Sequence, residues 1–164
     1  MTRRPEGTED AAARVARLYD RCAARMYRYA AMILADTEAA ADVVQQVFVA
    51  VLQKERRVHE EDAYLRRAVR NACVDALRRR RREAPTETPL IEPIADGGDP
   101  AERVAVEEAL RELPADQREV IHLKVFEGMT FQEIADLTGE SINTVASRYR
   151  YATAKLRARL GQRS

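Results

Sequence analysis

The stretch Gly128–Leu160, GMTFQEIADLTGESINTVASRYRYATAKLRARL, contains two helix starts close together. Thr130 followed three positions later by Glu133 is a capping-box pattern, which predicts a helix directly after the threonine. Gly139 supplies the left-handed residue that ends this helix, and Ser141 caps a longer second one. A short helix, a tight turn containing glycine and a longer helix predict a helix-turn-helix, whose second helix enters the major groove of DNA.

The charge of this stretch supports the same interpretation. After Ser141 the chain has six basic residues and no acidic residue, as contact with phosphates requires. These residues are Arg148, Arg150, Lys155, Arg157, Arg159 and Arg163. The alternative is an ordinary helical hairpin with a solvated basic face, but the two caps and the one-signed charge favour DNA binding.

The composition predicts an all-α protein. Tryptophan is absent and aromatic residues make up 5% of the 164 residues, a length that suits one medium domain or two small ones. No run of about 18 apolar residues occurs, and no apolar segment follows the first arginines. We therefore expect a cytoplasmic protein with no membrane insertion.

Charge is segregated along the chain. The net charge is +6 over residues 1–82, −7 over residues 83–112 and +2 over residues 113–164. Two basic lobes separated by an acidic segment predict a protein that contacts nucleic acid at two places.

This pattern divides the chain into two small helical domains, 9–82 and 101–164. Between them, proline, glycine and acidic residues accumulate over 83–100 and helical periodicity vanishes, which predicts a flexible acidic linker. Helix resumes at Ala101, and Pro114 occupies the first position of a further helix.

Apolar residues recur at steps of three and four in both domains, which predicts amphipathic helices over residues 9–35, about 38–52 and about 62–82 in the first. The inward-facing residues predicted there are Val15, Leu18, Tyr19, Cys22, Met26, Tyr29, Ile33, Val44, Val47, Phe48, Val51, Leu65, Val69, Ala72, Cys73 and Ala76. Those predicted in the second domain are Val104, Val106, Ala109, Leu110, Leu113, Val120, Ile121, Leu123, Val125, Phe126, Ile134, Ala135 and Leu137.

Two helix faces in the first domain are candidate binding surfaces. Asp42, Gln45, Gln46 and Val49 share one face of the second helix, opposite its apolar stripe. Tyr64, Arg67, Asn71, Asp75, Arg78 and Arg82 share one face of the third helix. From Ala63 to Arg82 this helix has eight arginines and one aspartate, which indicates contact with phosphates, and its aromatic and amide groups suit single-stranded bases. A solvated basic helix is the alternative.

No pattern indicates catalysis or metal binding. The two cysteines and two histidines lack metal-ligand spacing, so Cys22 and Cys73 are expected to be reduced core thiols. The acidic residues Asp42, Glu133 and Asp136 lie on separate helices without histidine or cysteine partners, and no glycine-rich phosphate loop occurs. We expect no enzyme activity and no cofactor.

Taken together, these patterns resemble the bacterial RNA polymerase sigma factors of the extracytoplasmic-function (ECF) type, the smallest members of the sigma-70 family. The resemblance is based on ADVVQQVFVAVL (Ala41–Leu52), YLRRAVRNACVDALRRRRR (Tyr64–Arg82) and ELPADQREVIHLKVFEGMTFQEIADLTGESINTVASR (Glu112–Arg148). It covers nearly the whole chain, and the order of the motifs around an acidic linker is specific. It implies a factor that gives the polymerase its promoter specificity.

The resemblance also implies a role for each face. The face with Asp42, Gln45, Gln46 and Val49 would bind the clamp coiled coil of the largest polymerase subunit. The loop near Glu55–Glu61 would capture a base flipped from the −10 promoter element. The face with Tyr64, Arg67, Asn71, Asp75, Arg78 and Arg82 would read and open that element. The linker would thread the polymerase cleft.

In the second domain, the resemblance implies that the recognition helix reads the −35 element through Ser141, Asn143, Thr144, Ser147, Arg148 and Arg150. Apolar positions of this domain would meet the flap of the second-largest subunit. The implied partners are core polymerase, promoter DNA and an anti-sigma factor.

One departure from the family pattern concerns the docking helix. Where the family often has further acidic residues, this chain has Ala41 and Gln46. One hypothesis is that phosphorylation of Thr37 supplies negative charge at the N-terminus of this helix, where such charge is favoured. The alternative is that Thr37 is a plain helix cap.

A stand-alone dimeric helix-turn-helix transcriptional regulator is the competing interpretation. The first domain and the acidic linker distinguish the two, because a repressor has no use for a helix that melts DNA.

Overall fold

The computed structural model describes residues 6–54, 60–83 and 98–162 of the chain, and these residues form helices and turns without any strand. The elements are α1 (Glu6–Leu34), α2 (Thr37–Gln53), α3 (Glu61–Arg82), α4 (Pro100–Arg111), α5 (Ala115–Ile121), one turn of π-helix (His122–Phe126), α6 (Phe131–Thr138) and α7 (Ile142–Gly161). The all-α prediction is confirmed. Residues 55–59 and 84–97, which hold most of the predicted base-capture loop and linker, lie outside the described residues, as does Arg163.

The chain divides into two compact units. The first consists of Met1–Ala30 and Glu38–Thr86, and the second of Ala31–Thr37 and Glu87–Ser164. The short segment at the end of α1 thus belongs to the second unit, a grouping that the charge pattern along the chain did not indicate.

The first unit buries apolar residues from α1, α2 and α3. Most of the predicted stripe of α1 is buried, as are Val44, Val47, Phe48 and Val51 of α2. On α3, the residues with less than one-tenth of their surface exposed are Leu65, Val69 and Cys73. The burial of these apolar side chains is the main contribution that holds the three helices together.

The second unit is organised around α7. Its core includes Met32 from the end of α1, Leu110 from α4, Leu113 from the connection between α4 and α5, Ile121 from α5 and Ala152 from α7. Tyr149 and Leu156 of α7 pack against this cluster. Tyr149 also meets the ring of Phe131 edge-on, with centroids 5.5 Å apart, which joins α6 to α7.

The helix caps predicted for the helix-turn-helix are confirmed. The Glu133 backbone N–H donates to Thr130 Oγ1 (3.1 Å), and the Thr130 backbone N–H donates to Glu133 Oε2 (2.7 Å), which completes the capping box. Gly139 ends α6 with φ of 73°. Ser141 Oγ accepts the Thr144 backbone N–H at 3.1 Å. Pro114, by contrast, lies one residue before α5 rather than at its first position.

Several predicted core residues are exposed instead. Tyr19 is 50% exposed although its ring packs edge-on against Phe48 with centroids 4.9 Å apart, because a tyrosine can cover an apolar neighbour with one edge only. Val125 and Phe126 are 57% and 46% exposed. They lie in the turn of π-helix, whose extra residue rotates them away from the stripe that α5 buries.

Helix α4 contains two more exceptions. Val104 and Val106 are exposed, whereas Ala109 and Leu110 are buried. Val104 and Val106 are two residues apart and so cannot share one helix face, and the buried residues of α4 lie in its last turn.

Candidate nucleic-acid interface

The polar residues predicted for DNA recognition lie at the start and in the N-terminal half of α7, the second helix of the helix-turn-helix, and are at least partly accessible. Ser141, Asn143 and Arg150 are exposed, and Thr144, Ser147 and Arg148 are partly exposed. Asn143, Ser147 and Arg150 follow one another at steps of four and three, so they share one face of α7. Amide, hydroxyl and guanidinium groups on one helix face are the donors and acceptors that base edges and phosphates need.

Arg148 differs from its neighbours because two carboxylates of the same unit bind it. Its Nε lies 3.0 Å from Asp116 Oδ2, at the start of α5, and its Nη2 lies 3.0 Å from Glu140 Oε1, in the turn before α7. The side chain is 22% exposed.

The predicted face of α3 is continuous and accessible. Tyr64 is partly exposed, and Arg67, Asn71, Asp75, Arg78 and Arg82 are exposed. Within this face, Arg78 Nη1 lies 3.9 Å from Asp75 Oδ1, a long ion pair that water screens strongly. The face therefore offers its cations and its amide to solvent.

Tyr64 at the start of this face is held by the end of α2. Lys54 donates a hydrogen bond to the Tyr64 hydroxyl, and its Nζ lies 4.8 Å from the ring centroid. An aromatic ring held beside a cation can stack on an unpaired base.

The predicted docking face of α2 is also exposed. Asp42, Gln45, Gln46 and Val49 line a shallow groove of about 340 Å³ together with Ala50 and Gln53. A second groove, of about 520 Å³, is lined by Gln46, Ala72, Asp75, Arg78, Arg79 and Arg82. Gln46 belongs to both, so within the first unit the predicted docking face and the arginine-rich face adjoin at this residue.

A charge cluster that the sequence analysis missed fixes the start of α3 on α1. Asp62 accepts hydrogen bonds from Cys22 Sγ, Arg21 Nη2 and Arg25 Nη2, each at 3.2 Å. The bond from Cys22, followed by those from the arginines, lowers the pKa of Asp62 despite its partial burial. Burial in turn raises the pKa of the Cys22 thiol, so the thiol stays protonated as a donor. The cluster orients the helix that carries the arginine-rich face.

A second missed residue is Arg118 in α5, which is 6% exposed. Its guanidinium donates to the carbonyl oxygens of Met32, of Ile33 (2.9 Å) and of Leu113 (2.8 Å). These carbonyls include the open C-terminal end of α1, where the helix dipole favours a cation. Burial lowers the pKa of Arg118 to about 10, so the group stays charged at neutral pH. In the sequence, the only indication of this buried role was that Arg118 stands three positions before Ile121, in line with the apolar stripe of the helix.

The residues that the structure describes contain no group of three or more His, Cys, Asp or Glu side chains arranged to hold a metal ion. Within the same ranges, no helix is long and apolar enough to cross a membrane.

Two family models match the chain. A model of sigma-70 region 2 matches residues 18–83, and a model of sigma-70 region 4 matches residues 103–156. The first match includes α2, α3 and the faces described above, and the second includes the helix-turn-helix.

Individual relatives match over most of their length. RNA polymerase sigma factor CarQ of Myxococcus xanthus is 30% identical over 171 aligned positions, which cover 99% of this chain and 96% of CarQ. RNA polymerase sigma factor SigV of Bacillus subtilis is 30% identical over 138, covering 82% of this chain and 83% of SigV. ECF RNA polymerase sigma factor SigM of Mycobacterium tuberculosis is 29% identical, covering 88% and 76%.

Solved structures give the same result. Sigma factor RpoE, in complex with the anti-sigma factor NepR from Bartonella quintana, matches with a TM-score of 0.70 and 26% identity over 84% of this chain and 90% of RpoE. CnrH, in complex with the cytosolic domain of CnrY, matches with a TM-score of 0.64 and 26% identity over 96% of this chain and 97% of CnrH.

Two helical units, one with an exposed arginine-rich helix and one with a capped helix-turn-helix, define a DNA-binding protein of transcription initiation. The chain belongs to the sigma-70 family and is an RNA polymerase sigma factor. The interpretation as a stand-alone dimeric regulator is not favoured, because the region 2 match covers the first unit as well.

Proposed function

We propose that the first unit docks on core polymerase and reads and melts the −10 element, and that the second unit reads the −35 element. The observation that supports this division best is that α2, α3 and α7 each carry an accessible face with the chemistry that its task needs.

Recognition of the −35 element suits α7. Its capped N-terminus leaves Asn143, Ser147 and Arg150 on one face, where an amide and a guanidinium can bind base edges or phosphates of duplex DNA. Ser141 and Thr144 lie at the first turn, where backbone N–H groups also favour a phosphate.

Recognition of the −10 element suits α3. Bases in a duplex must be unstacked before their edges can be bound individually, which costs a few kcal/mol per base. Tyr64 can stack on an unpaired base, Asn71 can bind its edge, and Arg67, Arg78 and Arg82 can hold the strand by its phosphates. The melted element is then stabilised by contacts that the duplex cannot make.

Run-off transcription tests the proposal directly. Core polymerase incubated with this chain should start RNA at new sites on genomic template fragments, and core polymerase alone should not. If the chain neither co-elutes with core polymerase nor changes its start sites, the proposal is wrong.

The docking face is tested by charge placed in the α2 groove. Val49 is 48% exposed, so Val49→Arg should leave the fold intact but put an unpaired cation into the interface, and co-elution with core polymerase should fall by about tenfold or more. Leu52→Arg is the matched control, since Leu52 is 47% exposed on the same helix but does not line the groove. Equal loss in both variants would contradict docking through this groove.

Partners and location follow from the same proposal. The sigma factor performs no bond chemistry, because the polymerase is the enzyme. We place it in the cytoplasm, where promoter DNA lies. The complex of RpoE with the anti-sigma factor NepR supports an anti-sigma factor as a further partner.

We also propose that phosphorylation of Thr37 strengthens docking. Thr37 is the first residue of α2 and is partly exposed, so a phosphate there would stand at the helix N-terminus and add negative charge to the docking helix. Thr37→Ala should lower promoter activity in cells by about fivefold, and Thr37→Glu should retain it. Unchanged activity in Thr37→Ala would refute this hypothesis.

A further inference from the structure

Arg148 lies on the inner side of the recognition helix. Val145, three residues before it, and Ala152, four residues after it, are both fully buried, so Arg148 belongs to the stripe of α7 that faces its own unit. Asn143, Ser147 and Arg150 lie on a different face. The exposed guanidinium near the N-terminal end of α7 is thus that of Arg150.

The partners of Arg148 come from two other elements. Asp116 Oδ2 forms an ion pair with Arg148 Nε. Asp116 Oδ1 accepts a hydrogen bond from the Gln117 backbone N–H at 2.9 Å, which fixes the carboxylate at the start of α5. Glu140, which lies in the turn between α6 and α7, accepts a hydrogen bond from Arg148 Nη2 through its Oε1. The three side chains join α5, the turn and α7, and we refer to them as the Asp116–Arg148–Glu140 bracket.

We infer that Arg148 is a positioning residue, which sets the orientation of α7 through this bracket, and that Arg150 supplies the phosphate contact. The inference refines the proposed −35 role of the second unit. A direct contact from Arg148 to DNA would break its ion pair with Asp116 and its charge-assisted hydrogen bond to Glu140, and it would leave two carboxylates facing the phosphates. If the bracket stays closed, these contacts are kept and the carboxylates remain paired. The exposed face of α7 is then held at one angle to the major groove of the DNA.

Variants of the two carboxylates separate positioning from direct contact. Asp116→Asn and Glu140→Gln remove negative charge from exposed positions and should not prevent folding. The full-length chain would be titrated against a duplex that carries the −35 sequence protected by the wild-type holoenzyme, with a scrambled duplex for comparison. Each titration would be repeated over a series of salt concentrations.

Positioning predicts that each carboxylate variant binds the −35 duplex about fivefold more weakly, with an unchanged salt dependence. Arg148→Gln should behave in the same way, and the double variant Asp116→Asn, Arg148→Gln should be no weaker than Arg148→Gln, because both changes open the same bracket. Arg150→Ala should instead lower the slope of log affinity against log salt by about 0.9.

A direct contact between Arg148 and DNA predicts the opposite change in affinity for the carboxylate variants and a lower salt slope for Arg148→Gln. If Asp116→Asn or Glu140→Gln tightens binding, or if Arg148→Gln lowers the salt slope as Arg150→Ala does, the inference is wrong while the −35 role stands. If the wild-type chain binds the −35 duplex no better than the scrambled duplex, the proposed −35 role fails and the inference fails with it.

Discussion

Arg118→Met is expected to lower the free energy of unfolding of the second unit by about 3 to 5 kcal/mol, the largest effect on stability of any substitution considered for this protein. The guanidinium satisfies buried carbonyl oxygens of Met32, Ile33 and Leu113. Methionine has similar length but donates nothing, so these acceptors would stay buried without hydrogen bonds. Urea unfolding followed by circular dichroism measures the loss, and amide exchange in α5 assigns it to the second unit.

Arg159→Met is the matched control in the same unit. Arg159 Nε pairs with Glu112 at 3.0 Å, but both side chains are substantially exposed, so its loss should cost at most about 1 kcal/mol. Arg118→Lys should fall between the two, because one ammonium keeps the charge but cannot reach carbonyls that lie on different sides of the guanidinium. Equal destabilisation by Arg118→Met and Arg159→Met would show that the buried hydrogen bonds do not matter.

Asn71→Ala is expected to lower the fraction of promoter complexes that open by about tenfold, with little effect on initial binding. Asn71 is exposed on α3 and should tolerate truncation without loss of stability. Its amide is proposed to bind a base that is available only after unstacking, so the interaction contributes to the melted state alone. Permanganate footprinting of the −10 element measures opening, and a gel-shift assay of the closed complex measures initial binding.

A template with a mismatched −10 element provides the control for Asn71→Ala. If the defect lies in melting, a template that is already unpaired should restore most of the activity. Normal permanganate reactivity on the fully paired template, or an equal defect in closed-complex binding, would contradict the proposed role.

Local signals predicted the helix-turn-helix well because capping is a local interaction. Thr130, Glu133 and Ser141 satisfy backbone groups within three residues of themselves, so their spacing in the sequence is enough to predict the bonds. The exposed faces of α2 and α3 were predicted for a similar reason, since helical periodicity alone decides which residues share a face.

The exposed positions of Val125 and Phe126 had no such signal. The Glu127 backbone N–H donates to the carbonyl oxygen of His122, five residues earlier, at 3.1 Å. This turn of π-helix after α5 therefore shifts the helical register by one residue. A periodic pattern read with a constant step continues the stripe through this turn and so predicts these two residues on the wrong side.

The sequence by itself determined the all-helical class, the approximate bounds of most helices, the caps of the helix-turn-helix and the chemistry of each exposed face, because these depend on neighbours within one or two helical turns. Only the tertiary structure decided which arginines are exposed, which are paired with carboxylates and which are buried. Arg150 is exposed, Arg148 is bound by Asp116 and Glu140, and Arg118 is buried against carbonyls 85 and 86 positions away in the chain. The charge of an arginine is the same in all three cases, but its role depends on partners that only the folding of distant segments brings within hydrogen-bond distance.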